Sequence, residues 1–299
     1  MPLITIDEPA TAATSGRPPT VRARAGRIRR PRSDRLAAVA GHLVMIALGL
    51  FALAPIVWMV LGSLRSPANV FAGSLPTHPD FANYSSALGE LPWSQLLVNT
   101  VEMALGVSVG QLLTGLLAAY GFSCWRFRGE RVLFLLIVAT WLVPLQVTIL
   151  PNYVLLARLG LINSVAGIVV PQLSSAFAIL LLRQHIKGFP TELLEAARLD
   201  GRSSWSILWR VIVPSLGPAL AALEILLFVS AWNEYFWPLV VFNNPGSVLQ
   251  IGIGDLLSAN AVDYGGLMAA SGLATLPVLV LYLLLRRRIV NAFARSGMR

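Results

Sequence analysis

Residues 36–64 read LAAVAGHLVMIALGLFALAPIVWMVLGSL, an apolar run interrupted mainly by His42 and Ser63. A helix needs about 20 apolar residues to cross the hydrocarbon core of a bilayer, and this run exceeds that length. A secretory signal peptide is the alternative, because Ala52-Leu53-Ala54 resembles a cleavage site. The apolar run continues for about ten residues past that point, however, so the pattern favours a membrane span.

Five further apolar runs follow, and the composition of the chain agrees with them. The runs cover residues 96–122, 132–150, 165–182, 218–242 and 266–285. The 299-residue chain is 12% charged with a mean hydropathy of +0.70, whereas soluble domains carry about 25% charged residues. Because backbone in lipid must satisfy its own hydrogen bonds, we predict an all-α integral membrane protein with six transmembrane helices. This domain, at 36–290, lies between a basic tail at 1–35, expected to be disordered, and a tail at 291–299.

The positive charges lie almost entirely on one side of this arrangement. Of the 23 Lys and Arg residues, all but Arg65 and Arg158 fall in the N-terminal tail, between spans two and three, in the 183–217 segment, or after span six. The positive-inside rule therefore predicts that both termini and the 183–217 loop are cytoplasmic. This placement explains the pI near 10.7, so the basic composition does not indicate a nucleic-acid partner.

The sequence contains no convincing motif for catalysis, nucleotide binding or metal binding. Cys124 is the only cysteine and the three histidines are scattered, so the sequence contains no zinc motif. Lys187 is the only lysine and has no glycine-rich lead, which excludes a Walker A phosphate loop. Gly106-Val-Ser108-Val-Gly110 formally matches a nucleophile elbow, but within span two it predicts a small-residue packing face. We therefore expect no enzyme activity, cofactor or metal in this chain.

The loop between spans four and five contains a short segment with helix signals at both ends. Residues 189–202 read FPTELLEAARLDGR. Pro190 suits the first turn of a helix, and Gly201 suits the left-handed residue that ends one. Leu193 and the pair Ala196-Ala197 give the helix an apolar face of small residues, which indicates that it packs into a groove of a partner.

This loop resembles that of a known family. Glu195-Ala196-Ala197, the spaced Gly201 and Val211-Ile212-Val213-Pro214 resemble the EAA loop of ABC-importer permeases, with valine where the pattern usually has isoleucine and leucine. In that family the loop forms the coupling helix that docks on the ATP-binding subunit. The resemblance implies a coupling role for six residues: Glu195, Ala196, Ala197, Asp200, Gly201 and Pro214.

Other segments of residues 50–290 are similar to the carbohydrate-importer branch, the malG-like permeases. They include Ser63-Leu64-Arg65, Asn83-Tyr84, Ala119-Tyr120-Gly121-Phe122, Leu159-Gly160-Leu161-Ile162-Asn163-Ser164, Trp232-Asn233-Glu234 and Met268-Ala269-Ala270. The resemblance implies a type I (MetI-like) permease in the bacterial inner membrane. It also implies three partners: a second permease subunit, a dimer of ATPase subunits that binds ATP and Mg²⁺, and an extracytoplasmic binding protein that delivers a sugar.

Polar residues near the ends of spans two and five are candidates for the solute path or its gate. Asn99 and Glu102 lie three residues apart on span two, and Asn233 and Glu234 lie in span five at a similar depth. Polar groups exposed to lipid would each cost several kcal/mol, so we expect all four to face the interior. They could instead bond one helix to another without touching the solute. Glu224, also within span five, has the same two interpretations.

Three other classes of membrane protein are alternatives to a carbohydrate permease. An ABC permease for an amino acid or phosphate would share the coupling loop. An ion-coupled secondary transporter would predict inverted repeats and a dense acid/base relay, and the sequence displays no obvious repeat. A membrane enzyme would need convergent catalytic groups at one depth, and the sequence lacks them.

Overall fold

The computed structural model describes residues 32–66, 69–71, 78–243, 247–258 and 263–296, and these residues form helices and loops without a β-strand. The helices are α1 Arg32–Ser63, α2 Ala82–Glu90, α3 Trp93–Cys124, α4 Glu130–Thr140, α5 Leu145–Arg158, α6 Val165–Val169, α7 Ala176–Lys187, α8 Thr191–Leu199, α9 Ser204–Ile207, α10 Val213–Ser215, α11 Gly217–Trp232, α12 Phe236–Val241, α13 Leu249–Ser258 and α14 Tyr264–Ser296. A 3₁₀ turn at Val170–Gln172 follows α6, and a π turn at Leu208–Ile212 follows α9. The prediction of an all-α protein is confirmed.

Both ends of the described chain are more helical than the sequence indicated. α1 begins at Arg32, so residues 32–35 are helix, and the rest of the predicted disordered tail lies outside the described residues. α14 extends to Ser296 and so includes most of the predicted tail at 291–299. Adding a residue to an existing helix costs far less than nucleating one, which explains both extensions. The contacts divide the chain into two units, 1–54 and 55–299, and residues 38–54 are exposed.

Three helical segments are long and apolar enough to cross a membrane in one piece. They are Ala38–Ser63 of α1, the whole of α3, and Tyr264–Arg286 of α14. Three bent pairs pass the same test: α4 with α5 at 96°, α6 and its 3₁₀ turn with α7 at 47°, and residues 204–215 with α11 at 82°. By length and composition the described chain therefore has three spans, or up to six if each bent pair counts as one.

The predicted spans at 132–150, 165–182 and 218–242 are wrong as continuous helices. Prolines lie at the first two breaks: Pro144 is the N-cap of α5, and Pro171 lies in the 3₁₀ turn before α7. Proline lacks the N–H that a continuous helix would use, so the chain can change direction there. The third run breaks between α11 and α12. Hydropathy stays high across the first break, whereas Ser174-Ser175 and Asn233-Glu234 interrupt the second and third apolar runs only briefly, so run length alone did not reveal the breaks.

Side chains of α3 bond the carbonyl groups at the break before α7. Gln111 Nε2 donates to the Gln172 carbonyl at 2.8 Å, and Thr114 Oγ1 donates to the Leu173 carbonyl at 2.5 Å. The side chain of Ser175 caps α7 by accepting from Ala178 N at 3.3 Å. Irregular backbone is tolerated inside a membrane protein where such partners are available. These two bonds connect the break to α3.

Glycines let α3 approach its neighbours closely. α3 packs against α6, α7 and α11. Gly106 and Gly110 lie against α6 and the turn after it, and a Cβ on Gly106 would be 2.8 Å from Cγ2 of Val169. Gly115 lies against α7 in the same way. The predicted packing face of Gly106 and Gly110 is confirmed, and it extends one further glycine along α3.

Two short helices lie in segments between the predicted spans. α2 lies within residues 65–95, and α13 lies within residues 243–265. Ala87 of α2 is buried and its carbonyl accepts a hydrogen bond from Trp93 Nε1 at 2.8 Å. A helix of about ten residues is marginal by itself, so tertiary contacts of this kind stabilise α2 more than its own sequence does.

Two of the family-like segments meet at the end of α1. Asn83 Nδ2 donates to the carbonyls of Ser63 and Arg65 at 2.9 and 2.6 Å, and so satisfies groups that the helix end leaves free. The hydroxyls of Ser63 and Tyr84 are 2.8 Å apart. Arg65 is only 5% exposed and donates to the Val70 carbonyl at 3.0 Å. This cation, an exception to the one-sided charge pattern, therefore has a structural role.

Candidate coupling surface and solute path

The predicted helix in the 183–217 loop is α8, and both of its ends have the expected form. Pro190 is the N-cap, one residue before the helix. Gly201 has a φ of +74°, the left-handed conformation in which a side chain is unfavourable. The Gly201 amide donates to the Arg198 carbonyl and the Arg202 amide to the Ala197 carbonyl, the paired bonds of a Schellman motif. This motif ends α8 sharply after Asp200.

The two faces of α8 differ from our expectation. Ala197 is only 7% exposed and packs into the core with Leu194, so it is not available to a partner as the exposed Leu193 and Ala196 are. Leu193 is 53% exposed, and Leu199 is 89% exposed. A surface helix that packs only against its own protein normally places its leucines on the side that faces the core. The outward face therefore combines acidic residues with apolar surface that the described chain leaves uncovered.

The six residues of the EAA-like segment take distinct positions. Glu195 and Ala196 lie on the exposed side of α8, Ala197 is buried, and Asp200 and Gly201 form its C-terminal end. Pro214 is exposed in α10, directly after the π turn. Because proline cannot donate to the carbonyl four residues earlier, a local change of helix register is expected near it.

The backbone after α8 is bonded to the end of α3. Tyr120 Oη donates to the Ser204 carbonyl at 3.0 Å, and Tyr120 itself is buried. Ser203 caps α9 by accepting from Ser206 N at 3.3 Å. Trp205 is 62% exposed and packs edge-on against Trp209. The segment that follows α8 is thus connected to the long central helix by a specific hydrogen bond.

The four candidate path residues do not form one hydrogen-bonded cluster among the described residues. Asn99 Nδ2 donates to the Ser247 carbonyl at 2.7 Å, and Asn233 Nδ2 to the Val229 carbonyl of its own helix at 2.8 Å. The Glu234 carboxylate accepts from the backbone amide of Trp237, at 3.3 Å, and so caps α12. Glu102 is exposed. Three of the four therefore bond to backbone near α13 and the α11–α12 break.

Glu224 bonds to a neighbouring helix. Ser108 Oγ of α3 donates to Glu224 Oε1 of α11 at 2.7 Å. The contact lies between two helices that pack along much of their length. Of the two interpretations offered by the sequence, the geometry supports a helix-to-helix hydrogen bond.

A cavity of about 480 Å³ lies beside the break between α11 and α12. Five of its lining residues carry polar groups: Asn233, Tyr235, Gln250, Ser271 and Thr275. The apolar part of the lining comes from Trp232, Ile253, Ala274 and Val278. Gln250 Nε2 donates to the Trp232 carbonyl at the end of α11. Of the four sequence candidates, only Asn233 belongs to this lining.

Sequence reasoning missed the other polar residues of the cavity. Ser271 and Thr275 are four residues apart in α14, and this spacing puts them on one face of the last span. Gln250 is the polar residue of an otherwise apolar stretch, VLQIGI at 248–253. The spacing of Ser271 and Thr275 and the isolated Gln250 can both be seen in the sequence. No local pattern, however, indicates that α13 lies against α14 and the α11–α12 break.

The chain is similar to a defined group of transport proteins. Residues 111–295 match the family described as binding-protein-dependent transport system inner membrane component. The lactose transport system permease protein LacG of Rhizobium radiobacter is 31% identical over 264 residues, which are 88% of this chain and 97% of that protein. The arabinooligosaccharides transport system permease protein AraQ of Bacillus subtilis (strain 168) is 30% identical over 87% of this chain and 95% of that protein.

A further relative and a solved structure extend the comparison. The sn-glycerol-3-phosphate transport system permease protein UgpE of Yersinia pestis is 33% identical over 69% of this chain and 74% of that protein. A chain of a bacterial ABC transporter involved in the import of the acidic polysaccharide alginate superposes with a TM-score of 0.72. It is 29% identical, and the match covers 86% of this chain and 97% of that one. The chain thus belongs to the binding-protein-dependent transport system inner membrane component family, as a multi-pass inner-membrane permease of the ABC-importer class.

Proposed function

We propose that this chain forms half of the membrane path of a carbohydrate importer and is driven by a separate ATPase. The observation that supports this most directly is the exposed apolar surface of α8, where Leu199 is uncovered one turn from Glu195 and Leu193 is also exposed. Such a surface fits a helix that lies in a partner's groove. ATP and Mg²⁺ would bind to the ATPase dimer, and this chain would hold no cofactor.

The partners proposed are a second permease subunit, two ATPase subunits and an extracytoplasmic binding protein. ATP binding would close the ATPase pair and move α8 with it. The permease pair would then change from inward-facing to outward-facing and accept a sugar from the binding protein. The Tyr120–Ser204 hydrogen bond supports a rigid connection from the coupling segment to α3. Asn99, Glu102, Asn233 and Glu234 remain proposed residues of the solute path or its outer gate.

Reconstitution tests this function. Proteoliposomes would contain the chain with the second permease and the ATPase encoded beside it, and the neighbouring binding protein would be added outside. We expect ATP-dependent uptake of at least one member of a panel of lactose, arabinobiose, N,N′-diacetylchitobiose and sn-glycerol 3-phosphate, at a rate at least about tenfold above liposomes without ATP. Uptake of the phosphate ester alone would favour a non-sugar permease, and ion-gradient-driven uptake without ATP would favour a secondary transporter.

We also propose six membrane crossings, with both termini and the 183–217 loop in the cytoplasm. The three long helices, the two bent pairs α4–α5 and α6–α7, and α11 support this number, since residues 204–215 of the third pair belong to the proposed cytoplasmic loop. The one-sided distribution of Lys and Arg supports the orientation. The long segments at 65–95 and 243–265 would then lie outside. The transmembrane domain would span 36–290 as proposed from the sequence, with a helical extension at each end.

Cysteine labelling checks the orientation. Ser85 of α2 and Ser204 of α9 are both exposed, and cysteine replaces serine with little change in size. In a Cys124→Ser background, we expect Ser85→Cys to react with a membrane-impermeant maleimide on intact cells. Ser204→Cys should react only after permeabilisation, and the Cys124→Ser protein should not react at all. Labelling of the Ser204 variant alone on intact cells would contradict the orientation.

A further inference from the structure

The cavity beside the α11–α12 break has the size of a small-molecule site. Its volume is about 480 Å³, within the roughly 300–1,000 Å³ that such sites occupy. It forms where α11 ends at Trp232 and the chain turns into α12, with α13 and α14 completing the wall. Helix breaks that line a cavity are a common way to build substrate sites in membrane transporters.

One buried polar atom in the cavity wall lacks a partner. Gln250 Nε2 is fixed by the Trp232 carbonyl, but Gln250 Oε1 is buried and has no hydrogen-bond partner among the described residues. Buried polar side-chain atoms are nearly always bonded, to protein or to another molecule. A hydroxyl group of a bound solute would satisfy this acceptor. Asn233 likewise donates to the Val229 carbonyl, which leaves its own oxygen to accept.

The charge of the lining restricts the class of solute. The described residues that line the cavity are neutral, since none is an Asp, Glu, Lys, Arg or His. A site for a phosphate or carboxylate normally supplies arginine, lysine or a helix N-terminus to balance the charge. The lining offers amides and hydroxyls on one side and Trp232, Ile253 and Val278 on the other. Sugars have this combination of hydroxyl edges and apolar C–H faces.

From these observations we infer that the cavity is a subsite for a neutral saccharide, bonded by Gln250, Asn233, Ser271 and Thr275. The inference rests on the proposed function, because it assumes that this permease conducts carbohydrate. It moves the main solute contacts from Glu102 and Glu234 to α13 and α14. Acidic polysaccharides and phosphate esters do not fit this subsite, because the described residues that line it include no cationic group.

The test measures how much sugar is moved for each ATP hydrolysed. The complete importer, with its binding protein saturated, would be assayed with the same four-member panel. Thr275→Val and Ser271→Ala remove one hydroxyl each, and we expect each to lower the sugar-to-ATP ratio about threefold to tenfold, as loss of one hydrogen bond to a solute predicts. Gln250→Ala should lower the ratio at least as much. Thr148→Val is the matched control, because Thr148, like Thr275, donates to a carbonyl of its own helix but lies outside the cavity.

The outcomes separate this subsite from the function on which it rests. Absence of ATP-driven uptake of any neutral sugar in the unaltered complex would reject the carbohydrate assignment, and the subsite with it. Normal sugar uptake with an unchanged sugar-to-ATP ratio in all three cavity variants would reject the subsite alone. An equal loss of the sugar-to-ATP ratio in the Thr148→Val control would also reject the subsite alone. A lowered ratio in the three cavity variants, with assembly of the complex intact, supports the subsite.

Discussion

Glu195→Lys and Leu199→Asp should each reduce ATP-driven uptake to background while leaving the permease in the membrane. Both residues are exposed on α8, so neither change disturbs a packed core. If α8 lies in a groove of the ATPase, Leu199 becomes buried and the new carboxylate must be desolvated there. The few hot-spot residues at the centre of an interface contribute about 2 kcal/mol or more, which is about 30-fold in affinity, and α8 would supply such residues. The ATPase should therefore fail to co-purify with either variant.

Controls for this experiment come from α2, another nine-residue helix with an exposed leucine and glutamate. Leu88→Asp and Glu90→Lys make the same chemical changes as the two α8 variants, and both residues are exposed. We expect them to retain the ATPase and to transport at a rate within about twofold of the unaltered complex, since surface changes usually cost under about 0.5 kcal/mol. Normal uptake in both α8 variants would remove the basis for the coupling surface.

Gly115→Leu should prevent the protein from accumulating in a folded form. Even a Cβ at this position would lie 3.0 Å from the Ala178 Cβ and 3.5 Å from the Ala178 carbonyl carbon. A leucine adds three more carbons, and the backbone of α7 would have to move to make room. Overpacking typically costs about 1–3 kcal/mol, and more where the backbone must shift. The same shift would strain the nearby bonds from Gln111 and Thr114 to the break before α7.

The matched control is Gly89→Leu. Gly89 lies in α2, and nothing lies within 4 Å of a Cβ placed on it. Replacing glycine by leucine in a helix favours the helical state by about 1 kcal/mol. This variant should therefore be as stable as the original protein or slightly more stable. Size-exclusion chromatography and thermal unfolding in detergent measure both variants. A Gly115→Leu protein that elutes and unfolds like the original would show that α3 and α7 do not need this close contact.

Features specified by local sequence were predictable. The helix α8 was located from Pro190 and Gly201, because the residue that ends a helix in the left-handed conformation is usually glycine. The packing face of Gly106 and Gly110 followed from the four-residue spacing of small residues inside an apolar run. Long apolar runs likewise predicted α1, α3 and α14. In each case the signal lies within one helix and needs no knowledge of its neighbours.

The breaks in the other three spans could not be predicted in this way. Hydropathy is continuous through residues 132–150, for example, although the chain turns by 96° between α4 and α5. Proline permits such a break but does not require it, because proline is also tolerated within continuous membrane helices. At the break before α7, the hydrogen bonds from Gln111 and Thr114 supply partners for the exposed carbonyls. Those donors belong to another helix, so only the tertiary structure identifies them.

For the candidate site, too, some features were predictable from local sequence and others only from the tertiary structure. The sequence by itself predicted an all-α membrane protein and located the helix α8, because composition, charge placement and helix caps are local properties. The resemblance to a known family added the permease function and the proposed coupling role of α8. The sequence also named Asn233 as a candidate residue of the solute path. Only the tertiary structure brought Gln250 and Thr275 to the same cavity, and turned Ala197 inward while leaving Leu199 exposed. The physical reason is that a cavity and an uncovered face are made by several helices together, and no single helix encodes where its neighbours end.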